Sequence, residues 1–395
     1  MTTSAGPPTV ETIAAKAGVS IASVSRVLNG HGARPNTVRR VEQAAAELGY
    51  VPNGVARSLK GGRTRQLTFA MPDVGNPVYV SMVRQIQATA KPLGYRLLLH
   101  STDAVAEDEL DVVRSLADRT SDGLILVPIR VTDEHLKVLS GAARPVVVIG
   151  SLPDQAPVDS VRADSVSGAV LAMRHLLASG RRRIAFINGP ADTVPGRNRS
   201  LGYRTALEEA GLDHDPALTV TTEFGIAAGA AAMHRLLDAD PGVDSVFCAN
   251  DQLALGAVHA AHDRGLRIPE QLAVAGMDNS ELARAGHPAL TSVDLGSAER
   301  GRIAAEMLLA RLDGGDHEVR CETVAPRLVV RGSTAHVRPG RDDGSGPDSD
   351  VGVDRDQDRD PGTNPGTNPG TSPAAVTNPN PGTGIASGNT PASAS

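Results

Sequence analysis

Polar and charged side chains follow several apolar runs of this sequence, at the point where each run ends. Carboxylate, amide and guanidinium groups together can hydrogen-bond the vicinal hydroxyls of a sugar, with arginine giving bidentate geometry. Parallel α/β sheets bind ligands at the carboxyl ends of their strands, so these positions favour a site for a small polar molecule. The alternative is that the Asn and Asp side chains only cap the helices that follow. The residues are Asp73, Asn76, Arg197, Asn250, Asp251, Asp278 and Asn279.

Catalytic and cofactor motifs do not accompany these residues. No Gly-x-Gly-x-x-Gly follows an apolar run, no Gly-x4-Gly-Lys-Ser/Thr occurs, and no nucleophile stands at motif spacing from a histidine base. His259 and His262 are spaced i and i+3, but without a carboxylate or cysteine at matching spacing a pair of surface histidines is favoured over a metal site. We expect a binding protein with no cofactor and no metal. A doubly wound enzyme is the alternative, and turnover of a candidate sugar would reveal it.

The apolar runs themselves predict the scaffold beyond residue 65. Runs of this kind, separated by helix-length segments, are typical of buried parallel strands in doubly wound α/β sheets. Roughly 270 residues is long for one such sheet, so we expect two lobes with a ligand crevice between them. The predicted strands are Leu67–Met71, Tyr95–Leu99, Gly123–Val127, Val146–Gly150, Ile184–Asn188, Ser245–Ala249 and Leu272–Gly276.

The first 50 residues have a different, purely helical pattern. Thr9 is a possible N-cap, and Gly18 supplies the backbone freedom of a tight turn between two short helices. Ser20 can cap the second helix, and a third amphipathic helix is predicted from about Asn36 to Leu48. This is the pattern of a helix-turn-helix, which places its second helix in the DNA major groove. A generic bundle of small helices is the alternative. The predicted inward residues are Ile13, Ala14, Ala17, Val24, Val27, Leu28, Val38, Val41, Ala45 and Leu48, and the outward ones on the second helix are Ile21, Ala22, Ser25 and Arg26.

Charge separates the two parts of the chain. Residues 1–65 hold nine Lys and Arg against three Asp and Glu, a net charge of +6, whereas the whole chain carries −6. The remaining residues therefore carry −12. A basic head on an acidic body indicates that only the head approaches phosphate.

The chain resembles the lac repressor family of bacterial transcription regulators over residues 9–338. The segment Ala-Gly-Val-Ser-Ile-Ala-Ser-Val-Ser-Arg-Val-Leu-Asn, residues 17–29, nearly matches that family's head signature. Residues 48–53 and 56–59 are similar to its linker into the hinge. By this resemblance Ile21 and Ala22 select operator bases, and Leu59 is the leucine wedged into a central minor-groove step. The DNA-binding residues implied are Ser20, Ile21, Ala22, Ser25, Arg26, Asn29, Arg39, Asn53, Ala56 and Leu59.

The same resemblance assigns an effector site in the body. Asn76, Arg197, Asn250 and Asp278 match effector-contacting positions, and Tyr79 and Phe224 match positions where an aromatic or apolar face packs on the ligand. Asp73 is added from its place after the first predicted strand. Leu295 stands where the family often has Gln, and Gly150 where it often has Asp or Asn, so two polar contacts are missing. A sugar effector is expected, but no particular sugar follows.

The expected organisation is a helix-turn-helix domain over residues 7–50, a hinge over 51–65, and a two-lobed effector and dimerisation domain over 66–338. Lobe 1 comprises about 66–165 with 294–323, and lobe 2 about 166–293 with 324–338. The hinge ends in two glycines and is too short for a stable isolated helix, so we expect it to fold only on DNA. A plain flexible linker is the alternative.

Residues 339–395 are first Asp-rich and then rich in Pro, Gly, Thr and Asn, which predicts a disordered tail. Because this tail lacks Leu heptads, we expect a homodimer, whose two heads match a palindromic operator. The resemblance of Leu59 to the family's wedge residue implies a central CG step, since pyrimidine–purine steps kink easily.

A transport-type sugar-binding protein would share the two-lobed body but would carry a signal peptide and no basic head. The first residues have no basic-then-apolar signal pattern, no run approaches the length of a membrane helix, and Cys248 and Cys321 do not suggest a disulfide. We therefore expect a cytoplasmic protein that is not bound to a membrane.

Overall fold

The computed structural model describes residues 8–28, 32–50, 63–314 and 318–335. Its first described part is a bundle of three helices. These are α1 (Val10–Ala17), α2 (Ile21–Leu28) and α3 (Pro35–Glu47).

Local signals fix the turn between α1 and α2. The Thr9 hydroxyl accepts a hydrogen bond from the Thr12 amide, and the Thr12 side chain returns one to the Thr9 backbone. Gly18 ends α1 in the left-handed conformation, with φ of 60°. The predicted core forms around Ile13, Ala14, Ala17, Val24 and Val41, with Ala44 buried as well and Val38 only half-buried. The head is therefore a helix-turn-helix, as predicted.

The first α/β lobe contains a six-stranded parallel sheet. Its strand order is β11-β5-β4-β3-β1-β2. The strands are β1 (Gln66–Met71), β2 (Arg96–Ser101), β3 (Gly123–Leu126), β4 (Val146–Ile149), β5 (Asp159–Ala163) and β11 (Cys321–Val324). Its helices are α4 (Val78–Ala90), α5 (Ala106–Arg114), α6 (Asp133–Ser140) and α12 (Ser297–Leu312).

The second lobe repeats this order with later strands. Its sheet runs β12-β10-β9-β8-β6-β7, and only β12 is antiparallel to its neighbour. The strands are β6 (Ile184–Asn188), β7 (Thr219–Thr221), β8 (Ser245–Cys248), β9 (Ala273–Met277), β10 (Thr291–Asp294) and β12 (Arg327–Val329). Its helices are α7 (Ser165–Ala178), α8 (Val194–Glu209), α9 (Ile226–Ala239), α10 (Asp251–Asp263) and α11 (Glu281–Ala285).

The chain crosses between the two sheets three times within the described residues. It leaves the first sheet after β5, returns to it after β10 as α12, and leaves it again after β11. The three connections lie close together, since the Asp164 amide donates to the Val324 carbonyl oxygen at 3.3 Å and Gly296 packs on the Val324 side chain. No helix in the described part of the chain is both long and apolar enough to cross a bilayer.

All seven predicted strands are present, each within two residues of its predicted bounds. Five further strands, β5, β7, β10, β11 and β12, are short and were not predicted. β5 shows why, because its Asp159 is buried only through a tertiary ion pair with Arg311 at 2.9 Å and a hydrogen bond from the Arg320 amide at 2.8 Å. The pKa of the Asp159 carboxyl is lowered by these two partners, which outweigh the opposing effect of burial.

Candidate functional site

A cavity of about 390 Å³ lies between the two lobes. Its lining comes from segments that follow β1 to β5 of the first sheet and β6 to β10 of the second. In each sheet the first strand of the lobe lies between the second and the third, so the chain reverses direction across the sheet there. Such a switch point leaves a crevice at the carboxyl ends of the strands.

Six of the seven residues predicted to contact an effector line this cavity. The first lobe contributes three of them and the second lobe the other three. They are Asp73, Asn76 and Tyr79, and Phe224, Asn250 and Asp278.

The seventh, Arg197, does not line the cavity, in contrast to the prediction. Its side chain is exposed and donates a hydrogen bond to the Asp192 carbonyl oxygen at 2.8 Å. Arg199 lines the cavity instead and is buried. Two residues along a helix are about 200° apart around its axis, so one arginine faces the cleft and the other faces solvent. Helical periodicity could have made this distinction, because Gly196, Arg199, Gly202 and Tyr203 form the buried stripe of α8.

Arg199 forms a buried ion pair with Asp278. One terminal nitrogen lies 3.3 Å from Asp278 Oδ1, and the other donates to the Ala249 carbonyl oxygen at 2.5 Å. Burial raises the pKa of the Asp278 carboxyl, and the positive charges of Arg199 and Arg300 oppose that rise. Asp278 and Asn279 also have positive φ angles, 103° and 47°, a conformation that non-glycine residues rarely adopt. The backbone after β9 is thus held in a strained form that presents Asp278 to the cavity.

Arg300 is a second buried arginine in the cavity lining and was not among the residues predicted from the sequence. It belongs to α12 of the first lobe, and its Nε donates to the Leu295 carbonyl oxygen at 3.2 Å. Burial lowers the pKa of Arg300, and the nearby Arg199 charge lowers it further, while Asp278 and Tyr79 have the opposite effect. The sequence feature that could have identified Arg300 is its position in the apolar stripe of α12, which continues through Ile303, Ala304 and Met307.

Two aromatic side chains complete the lining. Tyr79 is buried, and burial raises the pKa of its hydroxyl. Phe224 packs so closely on Gly189 that a Cβ there would lie 2.1 Å from the ring, which is why this loop after β6 needs glycine. The Arg199 guanidinium carbon lies 5.9 Å from the centroid of the Phe224 ring, within cation–π range.

The helix-capping alternative holds for part of the predicted set. The Asn76 side chain accepts from the Val78 amide at 3.1 Å, and Asn250 caps α10 by accepting from the Leu253 amide at 2.9 Å. Both residues also line the cavity, so capping and ligand contact are compatible there.

Asp251 and Asn279 are outside the cavity lining and have structural partners. Asp251 accepts hydrogen bonds from Ser280 and Ser292, and burial raises its pKa to about 7. Asn279 accepts from Arg331 at 2.5 Å and donates to Asp294 at 3.2 Å.

Contacts between the lobes close one side of the cavity. Arg130, after β3, forms a two-point ion pair with Asp192, after β6, at 2.7 and 3.2 Å. Beside it the Val194 amide donates to the Ile129 carbonyl oxygen at 2.8 Å. Leu295 and Gly150, the two positions where an expected polar contact is missing, also line the cavity and offer no side-chain hydrogen bond.

The head presents a separate exposed surface on α2. Ile21 is 49% exposed, and Ala22 and Arg26 are exposed beside it, while Val24 on the opposite side is fully buried. Ser25 is half-buried. The Ser20 hydroxyl accepts from the Ser23 amide at 3.2 Å at the start of α2, as the capping prediction requires.

Neighbouring arginines of α3 differ in their contacts. Arg40 donates to the Gly18 carbonyl oxygen at 3.2 Å and so supports the turn between α1 and α2. Arg39 is exposed. The predicted residues Asn29, Asn53, Ala56 and Leu59, most of the hinge, and the tail over 339–395 lie outside the described residues.

Comparisons with known proteins agree on both parts of the chain. Residues 9–53 match the family of bacterial regulatory proteins called lacI, and residues 173–334 match the periplasmic binding protein-like domain. Catabolite control protein A of Priestia megaterium is 33% identical over 328 residues, 82% of this chain and 99% of its own length. The lac repressor dimer bound to operator and the anti-inducer ONPF has a TM-score of 0.74 at 27% identity, covering 84% of this chain and 100% of that one. The complex of transcriptional regulator CelR with cellobiose has a TM-score of 0.63 at 34% identity, covering 82% and 99%.

Proposed function

Because this chain belongs to the lacI family of bacterial regulatory proteins and is a DNA-binding transcription regulator, we propose that it is a dimeric repressor controlled by a small sugar-like effector. The effector binds in the cavity between the lobes and changes the affinity of the head for a palindromic operator. The observation that carries this proposal is a cavity lined from both lobes in a chain whose head exposes a recognition helix.

The size and lining of the cavity support a small polar ligand. Its volume of about 390 Å³ falls in the range of small-molecule sites. Arg199, Asp278 and Asn250 offer donors and acceptors suited to hydroxyl groups, and Phe224 offers a flat apolar face. The relative CelR is known in complex with cellobiose, which favours a sugar here as well.

The three chain connections between the lobes support a route by which the effector can change DNA binding. A ligand that contacts both lobes stabilises one relative setting of them, and the first lobe is the one that continues from residue 63 toward the head. Coupling between the two sites then requires only that operator binding prefers one setting. In this proposal Leu59 of the hinge is inserted at a central CG step, because pyrimidine–purine steps kink easily.

The test uses the full chain and an operator obtained by selection from random duplex DNA. Operator binding is measured by fluorescence anisotropy with and without a panel of sugars, and each sugar is also tested by thermal unfolding. A sugar that raises the unfolding temperature should change operator affinity by at least fivefold, the lower end of typical allosteric coupling. A sugar that saturates the protein but leaves operator affinity unchanged, or a selection that yields no palindrome, would contradict the proposal.

A further inference from the structure

The buried charged residues that line the cavity, here called its floor, carry a net positive charge. Arg199 is 7% exposed and Arg300 9% exposed, and both line the cavity. Among the residues that the structure describes, Asp278 is the one buried carboxylate that lines it with them. Arginine stays protonated in proteins, so the floor holds two positive charges and one negative charge.

The two arginines also have hydrogen-bonding capacity left over. Arg199 Nε is buried and has no partner, although both terminal nitrogens are used. Arg300 donates hydrogen bonds to neutral groups, the Leu295 carbonyl oxygen at 3.2 Å and the Ser297 hydroxyl at 3.3 Å. A buried positive charge without a counter-charge is unfavourable, and a ligand can supply what the protein lacks.

The other acids near the cavity are not placed to supply that counter-charge. Asp73 accepts from the Gly75 amide at 2.7 Å and Asp103 from the Ser101 hydroxyl at 2.8 Å, and both are exposed. Glu223 is exposed as well. Asp294 is partly buried and raises the pKa of Arg300, but it lies outside the cavity lining and shares its charge with Arg327 at 3.0 Å. Exposed charges are screened by water and salt, so they interact weakly with the floor.

Resting on the proposed function, we propose that the effector carries an anionic group, a carboxylate or a phosphate, held between the guanidinium groups of Arg199 and Arg300. Arginine recognises both kinds of anion with two parallel N–H donors. Arg199 belongs to the second lobe and Arg300 to the first, so one anion would connect the lobes and neutralise the excess charge at once. The effector class is then an acidic sugar or a sugar phosphate rather than a neutral sugar.

The first experiment uses simple anions as probes on the full-length protein. Thermal unfolding is followed by calorimetry in sodium phosphate, sodium acetate and sodium chloride at pH 7.5 and equal ionic strength. At least one of phosphate and acetate should raise the unfolding temperature of the wild type above its value in chloride. Arg300→Met should abolish that rise without lowering the unfolding temperature in chloride, because a buried charge is replaced by an apolar chain of similar length. Arg300→Lys, which keeps the charge, should retain part of the rise.

Arg302→Met is the matched control on the same helix. Arg302 is exposed and paired with Glu299 and Glu306, each at 2.6 Å, and does not line the cavity. It should leave the anion effect unchanged. Equal unfolding temperatures in all three salts for the wild type, or the same rise in Arg300→Met, would overturn the inference.

The second experiment separates the two anions and the two proposals. Glucose, glucuronate and glucose 6-phosphate form one matched set, and the galactose series forms another. The acidic member of at least one set should bind at least tenfold more tightly than its neutral parent, and Arg300→Met should remove that difference. A neutral sugar that binds as tightly as its acidic forms and shifts operator affinity would overturn the inference and leave the proposed function standing. Stabilisation by acidic sugars with no change in operator affinity would overturn the proposed function and leave the inference standing.

Discussion

The head and the body of this protein place their candidate binding residues in opposite environments. In the head, Ile21 is 49% exposed and its neighbours on α2 face solvent. In the body, Arg199 and Arg300 are less than 10% exposed, and Arg199 is paired with Asp278 of a strained backbone turn. A DNA duplex is large and charged, so a helix exposed on the protein surface can contact its phosphates and base edges. A small molecule must be surrounded, which requires buried polar groups that stay incompletely bonded until it arrives.

This contrast predicts different consequences of mutation. Substituting an exposed residue that contacts DNA removes that contact and leaves the stability of the folded protein almost unchanged. Substituting one member of a buried ion pair, such as Arg199, changes ligand binding and folding stability together, because the other member remains buried without compensation.

The largest effect is expected for Arg199→Met. Asp278 would lose its ion-pair partner, which costs about 3–5 kcal/mol of folding stability in comparable buried pairs. Effector affinity should fall with it. Arg197→Met is the matched control two residues away and should change the free energy of unfolding by less than about 0.5 kcal/mol. Chemical denaturation and isothermal titration measure both quantities. Equal effects of the two substitutions on folding stability and effector affinity would contradict the assignment of Arg199, rather than Arg197, to the cavity.

A double substitution of Ile21→Thr and Ala22→Ser should change which operator bases are preferred. Each altered contact is expected to shift discrimination by about 1–3 kcal/mol at its base pair, while folding stability and effector affinity stay near wild type. Selection from a randomised operator library reads the base profile. Arg39→Ala is the comparison: it should lower the slope of log affinity against log salt by about one with no change of profile. An unaltered profile in the double variant removes these residues from base readout.

Gly18→Val should destabilise the head alone. At a φ of 60° a residue other than glycine lowers folding stability by about 1–2 kcal/mol. A Cβ at this position would also lie 2.5 Å from an Arg40 terminal nitrogen. Operator binding should weaken and effector binding should not. Gly18→Asn should be milder, since Asn adopts this conformation more readily. Loss of effector binding in Gly18→Val would show that the head and body are not energetically separate.

The smallest effect is expected for Asp192→Asn, at the contact between the lobes. Both partners are partly exposed, so effector affinity should fall by less than about fivefold, and added salt should reduce the difference from wild type. Arg130 lowers the pKa of the Asp192 carboxyl, so the ion pair is present at neutral pH and is lost only as pH falls through that lowered pKa. The difference should therefore be constant between pH 5 and 8. Titrations across that range check it, and a difference that disappears by pH 6 would assign it to another group.

Much of the fold was predictable from local signals. The helix-turn-helix followed from Thr9, Gly18 and the apolar spacing of α1 and α2, because capping and turn geometry depend on neighbouring residues. Seven strands followed from apolar runs, and six of them are largely buried. The exception is β2, which lies at the edge of its sheet with Leu98 39% and Leu99 50% exposed, so the expectation of burial was wrong there. Strands such as β7 and β12, with three residues each, carry too few side chains to give such a signal.

The sequence by itself determined the class of each part: a basic helical head, a doubly wound body, and polar groups at the carboxyl ends of its strands. Helical periodicity separates Arg199 from Arg197, but only the tertiary structure decided that the stripe carrying Arg199 borders a cavity, because the lining comes from segments distant in the chain. It also placed Arg300 and Asp278, which belong to different lobes, in the lining of one cavity. Charge interactions depend on distance and burial, and for groups far apart in the chain both are fixed only when the chain has folded.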